Sequence, residues 1–440
     1  MAIFIGIDDT DSRKGGCTTY IGALLNQRIV EMGYRTEPRL IRLNPNIPWK
    51  TRGNAAIAIK VDAEWGEKVV KTLVSTTRKI VEREAVLEDP ETNTGVAIAE
   101  TPIPEQLKDF STRAVQHVVT IGEAKSIAKK LGVVTLIYGN GRGLIGALAA
   151  IGATLDNKTY EIIAYRSRNY FGLKTRYVDK ASVEEMDQAT YPHTFNNIDP
   201  ETGKVLITPH SPCPVLYGIR ATKPEVLEKA CSMVKTHEPI EMFCTFVTNQ
   251  ATDQHLIKTS ISNIETLTSV VVSGCVATKP VKTRGGHVFF HISDCDNREK
   301  LVRCAAYYPT GGFRDKLMGL VVGDGVTVVG AAKPGGDGEI TINLEKIRVD
   351  KLKQVYKKRN PKCQRCGKTM TSNGVNKGYK CKRCKTRSLE AKPEVIPVRR
   401  EIGTGWYQVS PRAMRHLSRP IWFENNSREP KKCGGMLTPS

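Results

Sequence analysis

The sequence predicts a multidomain α+β protein, and three observations support this prediction. The chain has 440 residues, which at about 100–200 residues per domain corresponds to about three or four domains. Strand-like and helix-like patterns alternate through roughly the first 260 residues, whereas short strands alone follow from Thr268 to about Val349. Two close pairs of cysteines then mark a small module of another class.

The first elements are a strand and the helix that follows it. The apolar run IFIGI (Ile3 to Ile7) predicts a buried strand, because it is short, continuous and rich in β-branched residues. Apolar residues at helical spacing from Ile21 to Met32 predict a helix that ends near Gly33. Thr18 or Thr19 is expected to cap the start of this helix.

The loop between these two elements carries side chains suited to a magnesium–nucleotide site. It holds three carboxylates, two glycines and two hydroxyls: Asp8, Asp9, Asp11, Gly15, Gly16, Thr18 and Thr19. Carboxylates at the carboxyl end of a strand occupy a common ligand crevice, and oxygen ligands suit Mg²⁺. The glycines would let the backbone and the helix N-terminus approach a phosphate. The alternative is an Asx-turn with solvated acids, and the chain has no Walker A motif.

The middle of the chain continues the mixed pattern. Asn54 to Val61 predicts a second strand, and a helix is expected from about Glu64 to Glu84. From His117, the stretches HVVTI, GEAKSIAKKLG and VVTLIYG predict a β-α-β unit. A glycine-rich turn, the apolar helix GLIGALAAIG and the strand YEIIAYR follow. This order suits a ferredoxin-like sandwich.

Two polar stretches are candidate parts of a site. RLNPNIPWKTRGN, which ends at Asn54, includes Lys50 and Arg52 immediately before a strand, although an ordinary basic loop remains an alternative. TNQATDQHL (Thr248 to Leu256) gathers amides, an aspartate and a histidine, and taken alone it is better read as a hydrogen-bonded turn.

The strands after Thr268 match the size of an oligonucleotide-binding (OB) barrel. Such barrels stack bases on exposed aromatic rings above a basic groove. Alternation allows only one of Phe289 and Phe290 to face outward, and the sequence does not decide which. The same ambiguity applies to the aromatic residues in AYYPTGGFR, Tyr307, Tyr308 and Phe313.

The cysteine module is the most specific motif of the chain. Cys363 and Cys366 form one CxxC pair, Cys381 and Cys384 form another, and fourteen residues separate the pairs. This spacing predicts a zinc ribbon with four thiolate ligands, against the alternative of four unrelated thiols. The remaining eight cysteines are expected to be reduced thiols: Cys17, Cys213, Cys231, Cys244, Cys275, Cys295, Cys304 and Cys433.

The charge of the chain favours a polyanionic partner. The net charge is +21, and residues 346–400 carry 19 Lys and Arg against three acids. Such a surplus is typical of nucleic-acid binding, although a solvated basic tail is an alternative. No stretch approaches the ~20 apolar residues of a membrane span, and the start lacks a signal-peptide pattern. We therefore expect a cytosolic protein without a membrane partner.

Taken in order, the motifs resemble the TiaS family, the archaeal agmatidine synthetases for isoleucine tRNA. The resemblance rests on GIDDTDSRKGGCTT, NPNIPWKTRGN, TNTGVAI, NGRGLIGALAAIGA, PVLYGIR, FVTNQATDQHL, AYYPTGGFR and the CxxC pairs. It implies an ATP-dependent ligase that acts on the wobble cytidine of the CAU anticodon of isoleucine tRNA. The C2 oxygen would be phosphorylated and replaced by agmatine, so that the anticodon reads AUA.

The resemblance also implies roles for individual residues. Asp8, Asp9 and Asp11 would hold Mg²⁺ and ATP, and Thr18 matches an autophosphorylated threonine. Residues implied for ATP binding are Gly15, Gly16, Thr19, Lys50 and Arg52. Residues implied for the agmatine pocket are Pro214, Tyr217, Gly218 and Arg220. Departures from the family pattern are Cys213, where a carboxylate would pair with a guanidinium, and Ala221 and Ala251 in place of glycine.

The implied architecture has four domains. A kinase-like α/β catalytic domain would span 1–116 and continue at 201–262 with the agmatine segment, and a ferredoxin-like domain would span 117–200. An OB-fold barrel at 263–350, a zinc ribbon at 351–392 and a C-terminal extension at 393–440 would complete the chain. The last three structured domains would bind tRNA by shape and charge.

Two other functions are compatible with parts of the sequence. A non-catalytic single-stranded nucleic-acid-binding protein would need only the barrel and the ribbon. A magnesium phosphatase could use Asp9 as nucleophile and Asp11 as acid, but Arg13 occupies a position where Thr or Val would be expected.

Overall fold

The structure is a computed structural model that describes residues 1–296, 298–336 and 338–425. Within these ranges no helix combines the length and the apolar character that crossing a membrane requires. The predicted C-terminal extension is therefore seen only to residue 425. Its remainder, 426–440 with Cys433, lies outside the described residues.

The first 248 residues contain nine strands and seven helices. In chain order these are β1 (Ile3–Asp8), α1 (Thr18–Glu31), β2 (Thr36–Arg42), β3 (Ala55–Val61), α2 (Glu67–Glu84), β4 (Gly95–Glu100), α3 (Glu105–Gln116), α4 (Ile121–Lys130), β5 (Val134–Ile137), α5 (Gly143–Gly152), β6 (Thr159–Arg166), α6 (Lys180–Thr190), β7 (Thr194–Phe195), β8 (Val215–Ala221), α7 (Glu225–Met233) and β9 (Ile240–Thr248).

All nine strands belong to one mixed sheet, in the order β5-β4-β1-β3-β2-β9-β6-β8-β7. The two halves join through the parallel pair β2–β9, where Leu40 lies opposite Thr248. Ile21 of α1 and Leu73 of α2 pack on one face of the first half. Phe110 of α3 and Leu148 of α5 pack on the other. Helices thus cover both faces and leave the strand ends to carry polar groups.

The next region is a closed barrel of five strands. Its elements are β10 (Leu256–Lys258), β11 (Ser269–Val276), β12 (Val281–Lys282), β13 (Val288–Ser293), β14 (Leu301–Ala306), α8 (Phe313–Leu317), β15 (Gly325–Pro334) and β16 (Ile340–Lys351). The barrel runs β11-β15-β16-β14-β13 and closes where β13 pairs with β11.

The barrel shows which of its aromatic side chains face the core and which face outward. Phe290 and Phe313 are buried in its core. Phe289 is half-buried, whereas Tyr307 and Tyr308 are exposed.

The last region contains short strands: β17 (Tyr356–Arg359), β18 (Thr371–Ser372), β19 (Tyr379–Lys380), β20 (Arg387–Ser388), β21 (Glu394–Pro397), β22 (Gly405–Gln408), and then α9 (Trp422–Asn425). β17 and β21 form a two-stranded stalk, and β18, β19 and β20 form a small sheet between them in the chain. After the stalk, β22 returns to pair with β16 of the barrel.

Two predictions about local structure near the helices are wrong. HVVTI is not a strand: α3 ends at Gln116, and α4 begins after Thr120. Thr120 and Glu123 form a reciprocal capping box, which outweighs the β propensity of the valines because it satisfies two free backbone N–H groups. Neither Thr18 nor Thr19 caps α1, since the helix already starts at Thr18 and Cys17 precedes it without a side-chain cap.

The expectation that all eight scattered cysteines are reduced is also wrong. Cys275 of β11 and Cys295, just after β13, form a disulfide with their Cα atoms 5.1 Å apart. The antiparallel pairing of β11 with β13 places Cys275 opposite Ser293, and this brings the two thiols together. Outside the masked residues, the other unpatterned cysteines are free thiols.

Candidate active site

Seven strands of the large sheet have one of their ends on the same side of the sheet, at the ends of the strands. The register places together the carboxyl ends of β1, β2, β8 and β9 and the amino ends of β3, β4 and β6. Residues from distant parts of the chain therefore meet there, although helices and loops separate them in the sequence.

A cavity of about 710 Å³ opens at these strand ends. Nine of the predicted site residues line it: Asp8, Asp9, Asp11, Thr18, Thr19, Lys50, Arg52, Gly218 and Arg220. Four others do not line it: Gly15, Gly16, Pro214 and Tyr217. The cavity therefore joins the acidic N-terminal loop to strand β8, on opposite halves of the sheet.

The three carboxylates lie at the end of β1, where surrounding protein atoms shield them from water. Burial, and then the charge of Asp9, raise the pKa of Asp8 well above its usual range. Burial and the charge of Asp11 raise the pKa of Asp9 to about 6. Burial also raises the pKa of Asp11, against the opposing charge of Arg52. A cation bound among these groups would relieve the repulsion, which is why the cluster suits one.

Backbone contacts fix the shape of this loop. Asp9 has φ of 56°, in the left-handed region that costs energy for a residue other than glycine. Its carbonyl oxygen accepts a hydrogen bond from Thr94 Oγ1 at 2.8 Å. The carbonyl oxygen of Asp11 accepts one from Thr92 Oγ1 at 3.0 Å. The loop between β1 and α1 is therefore anchored to the segment that precedes β4.

Arg52 closes the same loop from the other side. Its Nη2 donates to the carbonyl oxygens of Ser12, Gly15 and Gly16, at 2.7, 2.8 and 3.0 Å. The same nitrogen lies 3.3 Å from Asp11 Oδ2. The two glycines therefore serve here as acceptors for Arg52. Gly16, with φ of +74°, also supplies the left-handed turn before α1.

Thr18 and Lys50 face the cavity from the first helix and from the loop before β3. Thr18 is buried at the start of α1, and its Oγ1 accepts a hydrogen bond from Thr10 Oγ1 at 3.0 Å. Lys50 Nζ donates to the Pro45 carbonyl oxygen. Burial, and then the charge of Arg415, lower the pKa of Lys50 to about 8. Both side chains therefore line the space that a phosphate group would enter.

The opposite wall is built around Glu161 of β6. This buried carboxylate lies 3.6 Å from Arg220 Nε and 3.9 Å from Arg42 Nη2, and it accepts a hydrogen bond from Gln250 Nε2. Gly218 lies on the same face of β8 as Arg220. A Cβ at this position would lie 2.9 Å from Glu161 Oε1, so the glycine leaves the space beside this carboxylate free of a side chain.

The other members of the predicted agmatine segment lie elsewhere. Tyr217 alternates with Gly218 and therefore points to the opposite face, where it packs with Met186 and Leu227. Its burial there raises its pKa. Pro214 is buried, and its carbonyl oxygen accepts from the Arg166 backbone N–H. Cys213 is buried beside Arg176 and does not line the cavity.

The four patterned cysteines form a metal-binding group. Their sulfur atoms all lie within 4.8 Å of one another, with 3.5 Å between Cys363 and Cys384 and 3.4 Å between Cys366 and Cys381. Tetrahedral Zn–S bonds of ~2.3 Å place sulfurs about 3.8 Å apart, so the group fits zinc. Of the residues that the structure describes, no other His, Cys, Asp or Glu group of three or more converges this closely.

Residues of the cavity wall that were not predicted as site residues from the sequence include Arg42, Arg142, Gly146, Glu161 and His416. Arg142 and Gly146 belong to NGRGLIGALAAIGA, whose glycine-rich entry into a helix was a visible signal. Arg42 is the first residue of RLNPNIPWKTRGN, the candidate stretch before β3. Glu161 lies in an otherwise ordinary strand, and His416 belongs to a segment without any pattern. The pairing of β9 with both β2 and β6 brings Arg42 near Glu161, and the hydrogen bond from the Ala251 backbone N–H holds the His416 backbone nearby.

Sequence models of three TiaS domains match the chain. The "TiaS TCKD domain" matches residues 4–140, the "TiaS FLD domain" matches 141–255, and the "TiaS C-terminal zinc ribbon domain" matches 360–402. Together they cover more than half of the sequence and include every residue of the cavity wall named above except His416.

Full-length relatives and solved structures are similar over nearly the whole chain. The TiaS 2-agmatinylcytidine synthetase of Archaeoglobus fulgidus, named for its isoleucine tRNA, is 42% identical, covering 96% of this chain and 97% of the relative. The protein of the same name from Pyrococcus horikoshii is 44% identical, with the same coverage. Two structures of TiaS bound to isoleucine tRNA, one with ATP and one with AMPCPP and agmatine, align with TM-scores of 0.84 and 0.82. They are 41% and 39% identical, and each covers 96% of this chain and 97% of the other.

Proposed function

Because the chain belongs to the TiaS family of isoleucine-tRNA 2-agmatinylcytidine synthetases, we propose that its cavity binds ATP, agmatine and the target cytidine together. The chain is an ATP-dependent ligase that attaches agmatine to isoleucine tRNA. One observation carries the assignment of its site. A single cavity of about 710 Å³ is lined on one side by the acidic N-terminal loop and on the other by Glu161 and Gly218.

The acidic side suits the triphosphate. Asp8, Asp9 and Asp11 would hold Mg²⁺, which supplies charge neutralisation for the phosphates when it is bound. Their mutual repulsion and raised pKa values support a cation among them. Lys50 and Arg142 face the same space and offer cations to phosphate oxygens. Thr18, which lines the cavity at the start of α1, would accept a phosphoryl group.

The chemistry requires activation of the cytosine C2 oxygen, since a carbonyl oxygen is a poor leaving group. Transfer of a phosphoryl group from ATP makes this oxygen part of a phosphate ester. The nitrogen of the agmatine amine then forms a bond to C2, the C2–O bond breaks, and phosphate leaves with its electron pair while the nitrogen loses a proton. Cations aimed at the phosphoryl group lower the barrier to its transfer. The target base must leave its stack to reach the cavity.

The β6–β8 side suits agmatine. Agmatine carries two cationic groups, and Glu161 is the carboxylate of this wall. Gly218 and Arg220 remain in the proposed pocket, because both face the cavity. Pro214 and Tyr217 are left out of it, since β8 turns Tyr217 to the opposite face and Pro214 is buried outside the wall. Glu161 would thus pair with the guanidinium of agmatine, the role that a carboxylate at position 213 would otherwise have.

The finer architecture is part of the same proposal. The acidic half of the large sheet would be the kinase-like domain, and the β6–β9 half would be the ferredoxin-like one. In this division β8 and β9 join the ferredoxin-like half, in place of the expected continuation of the kinase-like domain at 201–262, because both strands pair with β6. The closed barrel would be an OB fold. Zinc would complete the ribbon. The exposed Tyr307 and Tyr308 and the cations of the ribbon would contact tRNA, because stacking and phosphate pairing are the usual modes of such modules.

The test is a ligation assay with labelled agmatine, ATP and a CAU-anticodon transcript, followed by nucleoside analysis. The proposal expects label in the wobble nucleoside only when ATP is present. A protein that binds the transcript without transferring label would support the alternative of a non-catalytic nucleic-acid-binding protein.

A further inference from the structure

The segment after the zinc ribbon is anchored between the barrel and the large sheet. Arg415 Nε lies 3.0 Å from Glu345 Oε1 of β16, and Ser418 Oγ donates to the other oxygen of the same carboxylate. On the other side, the backbone N–H of Ala251 donates to the His416 carbonyl oxygen at 2.8 Å. Contacts on both sides therefore fix the backbone at His416, although residues 360–402 of the ribbon precede it in the chain.

The side chain of His416 reaches the cavity wall in a defined orientation. Its Nδ1 lies 3.1 Å from Gln250 Oε1. The Nε2 of Gln250 donates a hydrogen bond to the Glu161 carboxylate, so the Oε1 of Gln250 is left to accept one from His416. The Nδ1 of His416 therefore carries the proton, and the Nε2 of His416 keeps a lone pair.

The surroundings keep this ring uncharged. The charge of Arg42, burial among protein atoms and the charge of Arg220 lower the pKa of His416 well below its usual range. Since a neutral imidazole with a protonated Nδ1 accepts at Nε2, it supplies a hydrogen-bond acceptor on a wall that also carries Arg42 and Arg220. Among the described residues, none donates a hydrogen bond to Nε2 of His416.

We propose that His416 is a substrate-positioning residue, whose Nε2 accepts a hydrogen bond from a nitrogen of the substrate held beside Glu161. The proposal rests on the function assigned to this cavity. Two donors have the required chemistry, the primary amine of agmatine and the 4-amino group of the target cytosine. In either case, the C-terminal segment is part of the active site, and the zinc ribbon lies between two parts of the chain that build one cavity.

The test compares His416→Leu, which removes the acceptor, with His416→Gln, whose side-chain oxygen can accept. His237→Leu is the matched control, because His237 is exposed and does not line the cavity. Each full-length variant is assayed for agmatine ligation on the CAU transcript, and again on a transcript with uridine at the target position. Melting temperature and tRNA affinity are measured in parallel.

His416→Leu is expected to lose about tenfold in kcat/KM, the usual consequence of removing one hydrogen bond worth ~1–1.5 kcal/mol, and His416→Gln should recover most of it. A raised KM for agmatine with unchanged base discrimination identifies the amine as the donor. Loss of discrimination between cytidine and uridine with unchanged KM identifies the nucleobase. Wild-type kinetics for His416→Leu overturn the proposal, as does equal loss in both variants, whatever their melting temperatures. Inactivity of the wild-type protein would instead refute the assigned function.

Discussion

Replacing Gly146 with alanine tests whether the position of Asp8 governs catalysis. Gly146 lies in the first half of α5, directly against the acidic loop. A Cβ at this position would stand 1.9 Å from Asp8 Oδ2 and 2.5 Å from its Cγ, whereas real Cβ atoms keep about 3.0 Å from other atoms. The carboxylate and the helix must therefore separate by about 1.1 Å.

The magnitude follows from that displacement. A misplacement of about 1 Å at a reacting centre can cost ~100-fold in rate, which corresponds to about 2.7 kcal/mol. Alanine favours a helix over glycine by up to ~1 kcal/mol, which partly offsets the strain. Gly146→Ala is therefore expected to lose about 100-fold in kcat/KM for ATP-dependent ligation, while its tRNA affinity stays near that of the wild type.

The matched control is Gly122→Ala on α4, where the nearest atom to an added Cβ is Thr120 Oγ1 at 3.9 Å. Initial rates of agmatine incorporation are measured for both variants at varied ATP, together with melting temperature. If Gly146→Ala ligates within twofold of the wild type and of Gly122→Ala, then the position of Asp8 does not govern catalysis.

Three further predictions concern the rest of the chain. Zinc chelation, or Cys381→Ser, should make residues 360–402 sensitive to protease and weaken tRNA binding without changing ATP affinity, because the ribbon does not line the cavity. The logarithm of the tRNA association constant should fall by about 0.7–0.9 per phosphate contacted for each tenfold rise in salt, as measured by filter binding. Glu345→Gln should lower stability at pH 7 by on the order of 3 kcal/mol, an effect that shrinks as pH falls below 4.5.

The sign of the last prediction comes from the pKa of Glu345. Burial alone would raise this pKa, but the nearby His255 and Arg415 outweigh it and lower the pKa to about 2, from 4.5. A lowered carboxylate pKa stabilises the fold above the unfolded value and loses that contribution as pH falls toward the folded one. Thermal melts of Glu345→Gln against the exposed control Glu88→Gln measure it.

Clear results would contradict each of these predictions. A ribbon that stays protease-resistant after chelation would argue against a structural zinc. Binding of tRNA that does not change with salt would contradict the basic surface. A stability difference for Glu345→Gln that is the same at pH 7 and pH 3 would contradict the pKa shift.

Local signals in the sequence were sufficient for the elements near the N-terminus and for the metal site. The strand at Ile3–Asp8, the acids that follow it and the helix from Thr18 depend on neighbouring residues only. The four sulfur ligands follow from CxxC spacing, and the structure brings them together as predicted. The five-stranded barrel also followed from its alternating strands.

Contacts between residues that are distant in the chain could not be predicted from local sequence signals. The join between β2 and β9 links residues about 200 positions apart, and together with the pairing of β9 and β6 it brings Arg42 near Glu161. The disulfide between Cys275 and Cys295 depends on barrel closure. By contrast, the capping box at Thr120 and Glu123 was a local signal, and it would have corrected the strand expected at HVVTI.

The proposed function requires that the acid cluster at the end of β1 serves the chemistry and not the binding of tRNA. The decisive measurement is the activity of Asp9→Asn, with the exposed Asp109→Asn on α3 as the control. Asp9→Asn is expected to abolish ATP-dependent incorporation of labelled agmatine and to leave tRNA affinity within about twofold of the wild type. Full incorporation by Asp9→Asn, or loss of tRNA binding in parallel with loss of ligation, would contradict it.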